Sequence, residues 1–239
     1  MQTAGVRRLI NQALKSGHGS LSEYDSKRLL GAYGVPVTRE KLVDSAAAAR
    51  TAAAALGYPV VLKGCAPDLL HKTEAGLVAV GLGSAKEVTE AFKMLSGRAG
   101  PDFKGAYLVQ EMVKGSRELM IGMTRDEQFG PSVMFGLGGI FTEVLEDVSF
   151  RLAPLTLSDA RDMMNEIRAA RILEAVRGMA RVDRAALARA IVGVGKAAAE
   201  NPEIAEIDIN PLIINGSKPV AVDGLVILKA APDADGGAK

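Results

Sequence analysis

The sequence contains a single cysteine, no tryptophan and few other aromatic residues. Because Cys65 is alone, the chain can form neither a disulfide within itself nor a cysteine-rich zinc site. Aromatic residues make up only 4% of the chain, which argues against a surface that stacks on nucleic-acid bases. Lys and Arg number 29 against 28 Asp and Glu, so neither sign of charge dominates. This balance favours neither a nucleic acid nor an anionic membrane as a partner.

Long apolar runs are also absent. No stretch is long and apolar enough to span a bilayer, and the first 20 residues lack the apolar segment of a secretory signal. We therefore expect a cytoplasmic protein with no membrane partner. Apolar residues still account for 48% of the 239 residues, which is enough to build the core of one large domain or of two small ones.

The chain alternates helix-like segments with pairs of strand-like segments. Strand-like runs follow one another directly in three places, which are YPVVLKG with GLVAVGL, AYLVQEMV with ELMIGMTRD, and EIDINPLII with PVAVDGLVIL around the turn NGSK. Consecutive strands of this kind pair in antiparallel fashion, whereas parallel strands need a long crossover between them. Residues 158–199 have helical periodicity. The pattern predicts an α+β fold with largely antiparallel sheets.

The stretch VVLKGCAPDLLHKTEAGLV places a lysine and a histidine around a polar loop. Lys63 ends an apolar strand, and His71, one of only two histidines, lies in the loop that follows. A lysine in this position is either a solvated strand end or a contact for phosphate, since an ammonium is a compact charge that suits a phosphate oxygen. A lone loop histidine is usually solvated. Neither residue decides the function by itself.

Two further segments fit a nucleotide but also fit ordinary structure. In VQEMVKGSREL, Glu111 ends a strand. A segment of this kind can hold a purine, whose amine donates a hydrogen bond to a carboxylate or a carbonyl. In FGLGGIFTE, Gly136, Gly138 and Gly139 allow the backbone to turn N–H groups towards an anion. A plain strand connection and a structural turn explain the same residues. Neither segment matches the patterns GxxxxGK[ST] or GxGxxG.

Acidic and amide side chains interrupt the apolar strands near the end of the sequence. Glu206, Asp208 and Asn210 alternate with isoleucines and therefore share one face of a strand. Asp223 lies on the next apolar run, within reach if the two runs pair. Carboxylate and amide oxygens are hard ligands, which suit Mg²⁺ held jointly with phosphate. A solvated sheet face is the alternative, but we favour a metal site.

Five segments occur in an order that is specific when they are taken together. They are SKRLLGAYGVPV, YPVVLKGCAPDLLHKTEAGLV, VQEMVKGSRELMIG, FGLGGIFTEVLEDVSFRLAPL and EIDINPLII. Together they resemble the ATP-grasp domain of nucleoside-diphosphate-forming acyl-CoA synthetases, and more narrowly the separate β subunit of the ADP-forming acetate–CoA ligases. The resemblance covers nearly the whole chain and implies an ATP-grasp fold, in which two lobes clamp a nucleotide.

The resemblance also implies where the lobes lie. Residues 1–20 are expected to form an N-terminal helix and linker. Residues 21–108 would form the small lobe, which carries Lys63 and the His71 loop. Residues 109–229 would form the large lobe with the magnesium-binding strands, and residues 230–239 a flexible tail.

Several residues resemble nucleotide contacts of the family. Lys63 resembles the lysine that contacts the α- and β-phosphates of ATP, and Lys27 resembles a second basic residue of the small lobe. Glu111 and Val113 lie where the adenine-binding segment is expected. Glu118 is a candidate for the ribose hydroxyls.

The resemblance assigns metal ligands at the strands of the large lobe. Asn210 and Asp223 resemble the two Mg²⁺ ligands of the family, and Asp208 either adds to this ligand set or supports it from behind. The implied cofactors are ATP or ADP and Mg²⁺.

Residues for the travelling phosphoryl group are implied as well. Arg151 resembles the arginine that meets the γ-phosphate, and the turn with Gly138 and Gly139 is a candidate cradle for the phosphate. His71 resembles the loop histidine that relays a phosphoryl group to ADP. In the family, a partner α subunit carries the CoA-binding domain and its own phosphohistidine, and the implied assembly is an α2β2 heterotetramer.

The resemblance therefore predicts the ATP-binding β subunit of an ADP-forming acyl-CoA synthetase, an acid–thiol ligase that acts with an α subunit. Two alternatives remain open at this point. One is another ATP-grasp ligase that joins a carboxylate to an amine or thiol, which would have no use for His71. The other is a regulatory subunit that binds a nucleotide without turnover.

Overall fold

The helices and strands of the chain form two antiparallel sheets with helices packed against them. The computed structural model describes residues 2–67, 69, 72–139 and 147–229. Its helices are α1 (Gln2–Lys15), α2 (Glu23–Ala32), α3 (Ala46–Leu56), α4 (Ala85–Ala99), α5 (Leu157–Glu166) and α6 (Arg184–Glu200), with a 3-10 turn at Ala170–Leu173. Its strands are β1 (Glu40–Val43), β2 (Val60–Cys65), β3 (Val78–Leu82), β4 (Ala106–Glu111), β5 (Glu118–Asp126), β6 (Gly130–Leu137), β7 (Val148–Leu152), β8 (Ile204–Asn215), β9 (Lys218–Ala221) and β10 (Leu225–Leu228). Every ladder between these strands is antiparallel, so the predicted α+β class is confirmed.

The smaller lobe is a four-stranded sheet in the order β1–β4–β2–β3, with α3 and α4 on one face. Val60 and Leu62 of β2 and Val109 of β4 are buried in the core beneath these helices. Ser45 and Ser84 begin the two helices, since each side chain accepts a hydrogen bond from a backbone amide of the first turn. Because side chains alternate along a strand, the other face of this sheet is free to meet the larger lobe.

The larger lobe is a six-stranded sheet in the order β10–β8–β5–β6–β7, with β9 paired to β8. Helices α5 and α6 cover one face, where Val133, Phe135, Ile207 and Ile209 are buried. The predicted hairpin around NGSK is confirmed, since β8 and β9 are antiparallel neighbours. Strand β10 then pairs with the first half of β8, and residues 222–224 form the turn that joins β9 to β10.

The division into lobes differs from the predicted boundaries at the N-terminus. Helices α1 and α2 belong to the larger core, to which they contribute Val6, Ile10, Leu29 and Leu30. The segment before α2 runs beside β10, because the amide of Leu21 donates to the carbonyl of Val226. The smaller core begins only at Val43, so the small lobe does not start at residue 21. The predicted tail at 230–239 lies outside the described residues.

The periodicity predicted a helical structure throughout residues 158–199, but the structure contains a break in this region. Helix α5 ends at Glu166, and α6 begins at Arg184 after its cap Asp183 accepts a hydrogen bond from the amide of Ala186. Between them lie the 3-10 turn and a tight hairpin that is closed by a bridge between Val176 and Met179. None of the described helices is long and apolar enough to cross a membrane.

Candidate active site

Ionised side chains from both lobes meet at the junction between the two sheets. Helix α2 and the β9–β10 turn supply residues from the larger lobe, and β1, β2 and the loop after β2 supply residues from the smaller one. We call this group the junction cluster, and its members are Glu23, Lys27, Glu40, Lys63, Lys72 and Asp223. Three ammonium groups and three carboxylates therefore lie together in a largely buried place, where charges are tolerated only when they are paired.

Glu23 is the centre of this cluster. Its Oε1 accepts from the ammonium groups of Lys63 at 2.7 Å and Lys27 at 2.9 Å, and its Oε2 lies 2.8 Å from Nζ of Lys72. Burial would raise the pKa of the Glu23 carboxyl, but Lys63, Lys27 and Lys72 hold it well below its ordinary value. Glu23 is therefore an anion at neutral pH that binds three cations from two lobes.

Lys27 joins the lobes from within the protein and is fully buried. Besides Glu23 it forms an ion pair with Glu40 and donates to Thr38 at 3.2 Å and to Gln110 at 3.1 Å. An ammonium has three protons, so these contacts already occupy it. The geometry therefore does not support Lys27 as a second nucleotide contact and gives it a structural role instead.

Lys63 lies on the face of β2 opposite the core of the small lobe. Its ammonium donates to Glu23 and, at 3.1 Å, to the carbonyl of Val222 in the larger lobe. Burial lowers the pKa of Lys63, while Glu23 and Asp223 act in the opposite direction. Lys63 is thus a desolvated cation at the junction, as a phosphate contact would be.

Lys72 is a member of the site that sequence reasoning missed. Its Nζ donates to Oδ1 of Asp223 at 2.8 Å and also lies 2.7 Å from Oδ2 of the same carboxylate and 2.8 Å from Glu23. Burial would lower the pKa of Lys72, but Asp223 and Glu23 raise it above its ordinary value. The only signal for Lys72 in the sequence was its place in the polar loop directly after His71, and nothing in the sequence marked Glu23.

A cavity opens beside the junction cluster. Glu23, Lys72, Asp208, Asn210 and Asp223 line it, and its volume is about 180 Å³. Pockets for complete drug-sized ligands are larger, at roughly 300–1,000 Å³. In this conformation the cavity therefore suits a phosphate group and a metal ion better than a whole nucleotide.

The oxygen atoms on this cavity suit a magnesium ion that also binds phosphate. Asp208 and Asn210 are alternate residues of β8, and Asp223 reaches them from the turn after β9. Burial and the nearby carboxylates of Asp223 and Glu206 raise the pKa of Asp208 to about 6. Among the described residues no group of three acidic, histidine or cysteine side chains forms a complete metal cage. The set fits Mg²⁺, which commonly takes one or two carboxylates and completes its shell with phosphate and water.

The glycine-rich turn lies against the same residues. The amide of Gly139 donates to Oδ1 of Asn210 at 3.0 Å, and the amide of Gly138 donates to the carbonyl of Glu118 at 2.9 Å. Gly139 has a φ of 63°, a backbone conformation that favours glycine. A side chain there would also collide with the Glu118 carboxylate. The turn is thus next to the metal residues, but both of these N–H groups are already bonded within the protein, so they do not form an open phosphate cradle.

Glu111 does not face the junction, contrary to its predicted role. It pairs across the sheet with Val60 and shares the face of Val109, which is the helix-covered side. There its carboxylate accepts from the amide of Arg39 at 2.8 Å and from Nε of the same residue at 2.7 Å. Its side chain is therefore not available to adenine. Val113 lies in the connection between β4 and β5, half-buried, where the base-binding segment was expected.

Arg151 lies on the wrong face of the large sheet for a phosphate contact. It pairs with Val133, whose side chain is buried beneath the helices, and its guanidinium binds Glu166 of α5. Asp208 and Asn210 occupy the opposite face, because they alternate with the buried Ile207 and Ile209. The geometry does not bring Arg151 to the site. His71 itself lies outside the described residues.

Comparison with known proteins identifies the family of the chain. A family model described as an ATP-grasp domain matches residues 12–228. The chain is 42% identical over 232 residues to subunit beta of the ADP-forming acetate–CoA ligase I of Pyrococcus furiosus, with 95% of this chain and 99% of the relative covered. It is 40% identical over 223 residues to the ADP-forming acetate–CoA ligase I of Archaeoglobus fulgidus, where the match covers 92% of this chain but 32% of the longer relative.

A solved structure of similar shape includes ligands. It is the dinucleotide-forming acetyl-coenzyme A synthetase 1 of Ca. Korarchaeum cryptofilum in complex with coenzyme A and Mg-AMPPCP, with its phosphohistidine segment pointing towards the nucleotide binding site. The TM-score is 0.84 and the identity 41%, with 94% of this chain and 100% of that chain covered.

Proposed function

Because the chain belongs to the ATP-grasp family and, within it, to the β subunits of ADP-forming acetate–CoA ligases, we propose that it performs the phosphoryl-transfer half of the ligase reaction. In that half, a phosphoryl group passes between His71 and the pair ADP and ATP. The complete reaction interconverts acyl-CoA, ADP and phosphate with carboxylate, CoA and ATP. The predictions of an ATP-grasp fold and of a subunit of an acid–thiol ligase are confirmed by the family.

One observation carries the proposal. The buried Lys63 lies at the lobe junction, and the partly buried Lys72 lines the cavity there together with Asp208, Asn210 and Asp223. Phosphoryl transfer depends mainly on positioning and on neutralising negative charge. Cations and hard oxygen ligands that converge on a cavity between two lobes provide both.

The residues have separate roles in this proposal. Lys63 and Lys72 bind phosphate oxygens of the nucleotide. Asp208, Asn210 and Asp223 hold Mg²⁺, which when bound supplies further positive charge next to the phosphates. The connection that contains Val113 lies at the hinge between the lobes, so its backbone is the candidate contact for the base, and Glu118 remains the candidate for the ribose.

His71 is the proposed carrier because a neutral imidazole is a good nucleophile near pH 7. The pKa of an unperturbed histidine is about 6.5, so much of it is unprotonated there. The unprotonated ring nitrogen forms a bond to the γ-phosphorus of ATP while the bond from phosphorus to the bridging oxygen breaks, ADP leaves with the electron pair, and the opposite ring nitrogen releases its single N–H proton to solvent. In reverse, ADP takes the phosphoryl group from phosphohistidine. The similar Korarchaeum enzyme has a phosphohistidine segment that points towards its nucleotide binding site, which supports phosphoryl transfer through histidine in general.

A partner is part of the proposal. The relative from Pyrococcus furiosus is one subunit of its enzyme, and the relative from Archaeoglobus fulgidus is about three times as long as the matched segment. The missing chemistry is the binding of CoA and the formation of the acyl phosphate. We assign it to an α subunit with its own phosphohistidine, in an α2β2 assembly.

The test combines a phosphorylation assay with two matched histidine variants. The chain is incubated with Mg²⁺ and ATP that is labelled with ³²P in the γ-position, alone and with its α partner. We expect label on the wild-type chain and on H18A, which lacks the other histidine. H71A should bind ATP in isothermal titration with unchanged affinity but should take up no label and should not support acyl-CoA synthesis.

Other outcomes would identify a different function. Full turnover by H71A would refute the relay and would favour another kind of ATP-grasp ligase. Binding of ATP by the wild-type chain without label or turnover, even with the partner present, would favour a regulatory subunit.

A further inference from the structure

Lys72 holds a candidate metal ligand from the opposite lobe. Its ammonium contacts both oxygens of Asp223, at 2.8 and 2.7 Å. Oδ1 of Asp223 also accepts from the amide of Gly224 at 2.8 Å. The carboxylate that a metal ion would use is therefore already neutralised by a lysine of the protein itself.

The two ends of this contact are anchored in different lobes. The backbone at residues 72–77 is fixed to the small lobe, because Lys72 O accepts from Leu77 N at 2.8 Å and Gly76 O accepts from Arg98 of α4 at 3.0 Å. Asp223 follows Val222, whose amide donates to the carbonyl of Pro211 in β8. The ion pair between Lys72 and Asp223 is thus a tie between the small lobe and the metal-binding strands.

We propose that Lys72 acts as the internal counter-ion of Asp223 when no ligand is bound and that a divalent cation displaces it. This inference rests on the proposed function, since it concerns the metal site of that function. In the metal-free protein, Lys72 holds the carboxylate of Asp223 towards the small lobe and compensates its negative charge. When the metal binds, Lys72 leaves Asp223, and this tie between the lobes opens.

The exchange is physically reasonable because Lys72 does not lose all its partners. Both oxygens of Asp223 contact the Lys72 ammonium, and a divalent cation that bound either oxygen would repel this ammonium, which favours its displacement. Once displaced, Lys72 still has Oε2 of Glu23 at 2.8 Å. The side chain of Lys72 is 12% exposed and that of Asp223 27%, so solvent reaches the pair and the metal can enter.

The experiment measures the affinity for Mn²⁺, used as a paramagnetic substitute for Mg²⁺, in the absence of nucleotide. Free Mn²⁺ is followed by electron paramagnetic resonance during titration of the full chain. K72Q should bind Mn²⁺ about fivefold more tightly than the wild type, because the competing ion pair is gone. K72R keeps a competing cation and should stay close to the wild type. K86Q removes a lysine whose side chain is 84% exposed on α4 and serves as the control for a simple change of net charge.

A double-mutant cycle shows whether Lys72 acts through Asp223. If it does, the gain from K72Q disappears when it is measured in a D223N background. A gain that persists in D223N, or an affinity of K72Q within about twofold of the wild type, overturns the inference, since twofold is the usual error of such a cycle. Circular dichroism and thermal melting confirm that each variant folds. If K72Q does not fold, K72M takes its place in the cycle.

The outcome separates this inference from the proposed function. Binding of Mg·ATP by the wild type is measured in parallel by isothermal titration. Normal Mg·ATP binding with an unchanged Mn²⁺ affinity in K72Q contradicts only the role of Lys72. Failure of the wild type to bind Mg·ATP contradicts the proposed function itself.

Discussion

At the scale of single residues, Glu23 is the side chain on which the junction most depends. One carboxylate that is 7% exposed serves three lysines from two lobes. Removing one partner of a buried ion pair leaves the others without compensation, which costs more than the pair contributes in isolation. The lysines that we propose as phosphate contacts therefore depend on an acid that lies on helix α2.

We predict that E23Q destabilises the protein in a pH-dependent way. At pH 7 the free energy of unfolding should fall by about 3–5 kcal/mol, because Lys27 and Lys63 remain buried beside a neutral amide. The pKa of Glu23 is lowered on folding, so its contribution is present above the ordinary value of 4.5 and is lost as the pH falls below it. The difference in the free energy of unfolding between wild type and E23Q, measured by urea denaturation, should therefore become smaller as the pH is lowered from 5.

E90Q is the matched control for this experiment. Glu90 lies on α4 with a side chain that is 64% exposed, and its nearest lysine is 3.9 Å away. We expect a change below about 0.5 kcal/mol for this exposed site. A stability of E23Q equal to that of the wild type at pH 7, or a gap that widens in acid, would contradict the role given to Glu23.

Single residues also show where sequence reasoning succeeded and failed. Strand alternation correctly placed Asp208 and Asn210 on one face, because period-two alternation follows directly from the order of residues. It did not reveal which face Glu111 or Arg151 would occupy, because that depends on the pairing register with neighbouring strands. A role of Lys72 in the site could be suspected only from its position in the polar loop, directly after His71.

Glu23 illustrates the remaining difficulty. It precedes Lys63 by 40 residues and lies on a different kind of element. Nothing local in the sequence distinguishes it from an ordinary acid in the first turn of a helix, where acids are common. Only the packing of α2 against the larger lobe brings its carboxylate to the lysines.

At the scale of elements, the segment between α5 and α6 depends on one buried arginine. Arg117, which is 3% exposed, donates to the carbonyls of Ala180 at 2.8 Å, Gly216 at 2.9 Å and Ile172 at 3.1 Å. These contacts connect the start of β5 with the hairpin at 176–179 and with the β8–β9 turn. The neighbouring residue is Glu118, so the same contacts support the candidate ribose-binding strand.

We predict that R117M releases this segment. The substitution keeps much of the side-chain volume but leaves several carbonyls without their donor, which should cost about 2–3 kcal/mol of unfolding free energy. Hydrogen exchange monitored by mass spectrometry should increase at residues 172–182 and 215–218 and stay unchanged in the small lobe. R171M changes an exposed arginine of the same segment and should leave exchange as it is. Unchanged protection in R117M would mean that the arginine does not hold the hairpin.

Elements were predictable from sequence where local signals and packing agreed. The β8–β9 hairpin followed from two apolar runs around NGSK. The stretch 158–199 was harder because its apolar and alanine content continues across 167–183. There the buried Leu173 ends the 3-10 turn and the buried Val182 lies in the connection to α6, and a backbone hydrogen bond joins the two residues. Helical periodicity does not distinguish such a connection from a continuous helix.

At the scale of the whole molecule, ion pairs and polar hydrogen bonds join the two lobes next to the proposed site. Lys27 and Lys63 cross the junction, and Lys72 crosses it at the proposed metal ligand Asp223. In the proposed function, phosphates and a metal ion take the place of these internal contacts when the nucleotide binds. The two-lobed fold was predictable from the order of the motifs. Its true boundary was not, since α1 and α2 lie first in sequence, but α2 packs on the last strand and α1 packs on α2.

The most direct test of the central claim is a crystal structure of the chain with Mg·AMPPCP. The account predicts phosphate oxygens within hydrogen-bonding distance of Nζ of both Lys63 and Lys72. It also predicts the metal on Asp223, together with Asp208 or Asn210. A nucleotide bound away from the lobe junction, or a metal held by other residues, would contradict it.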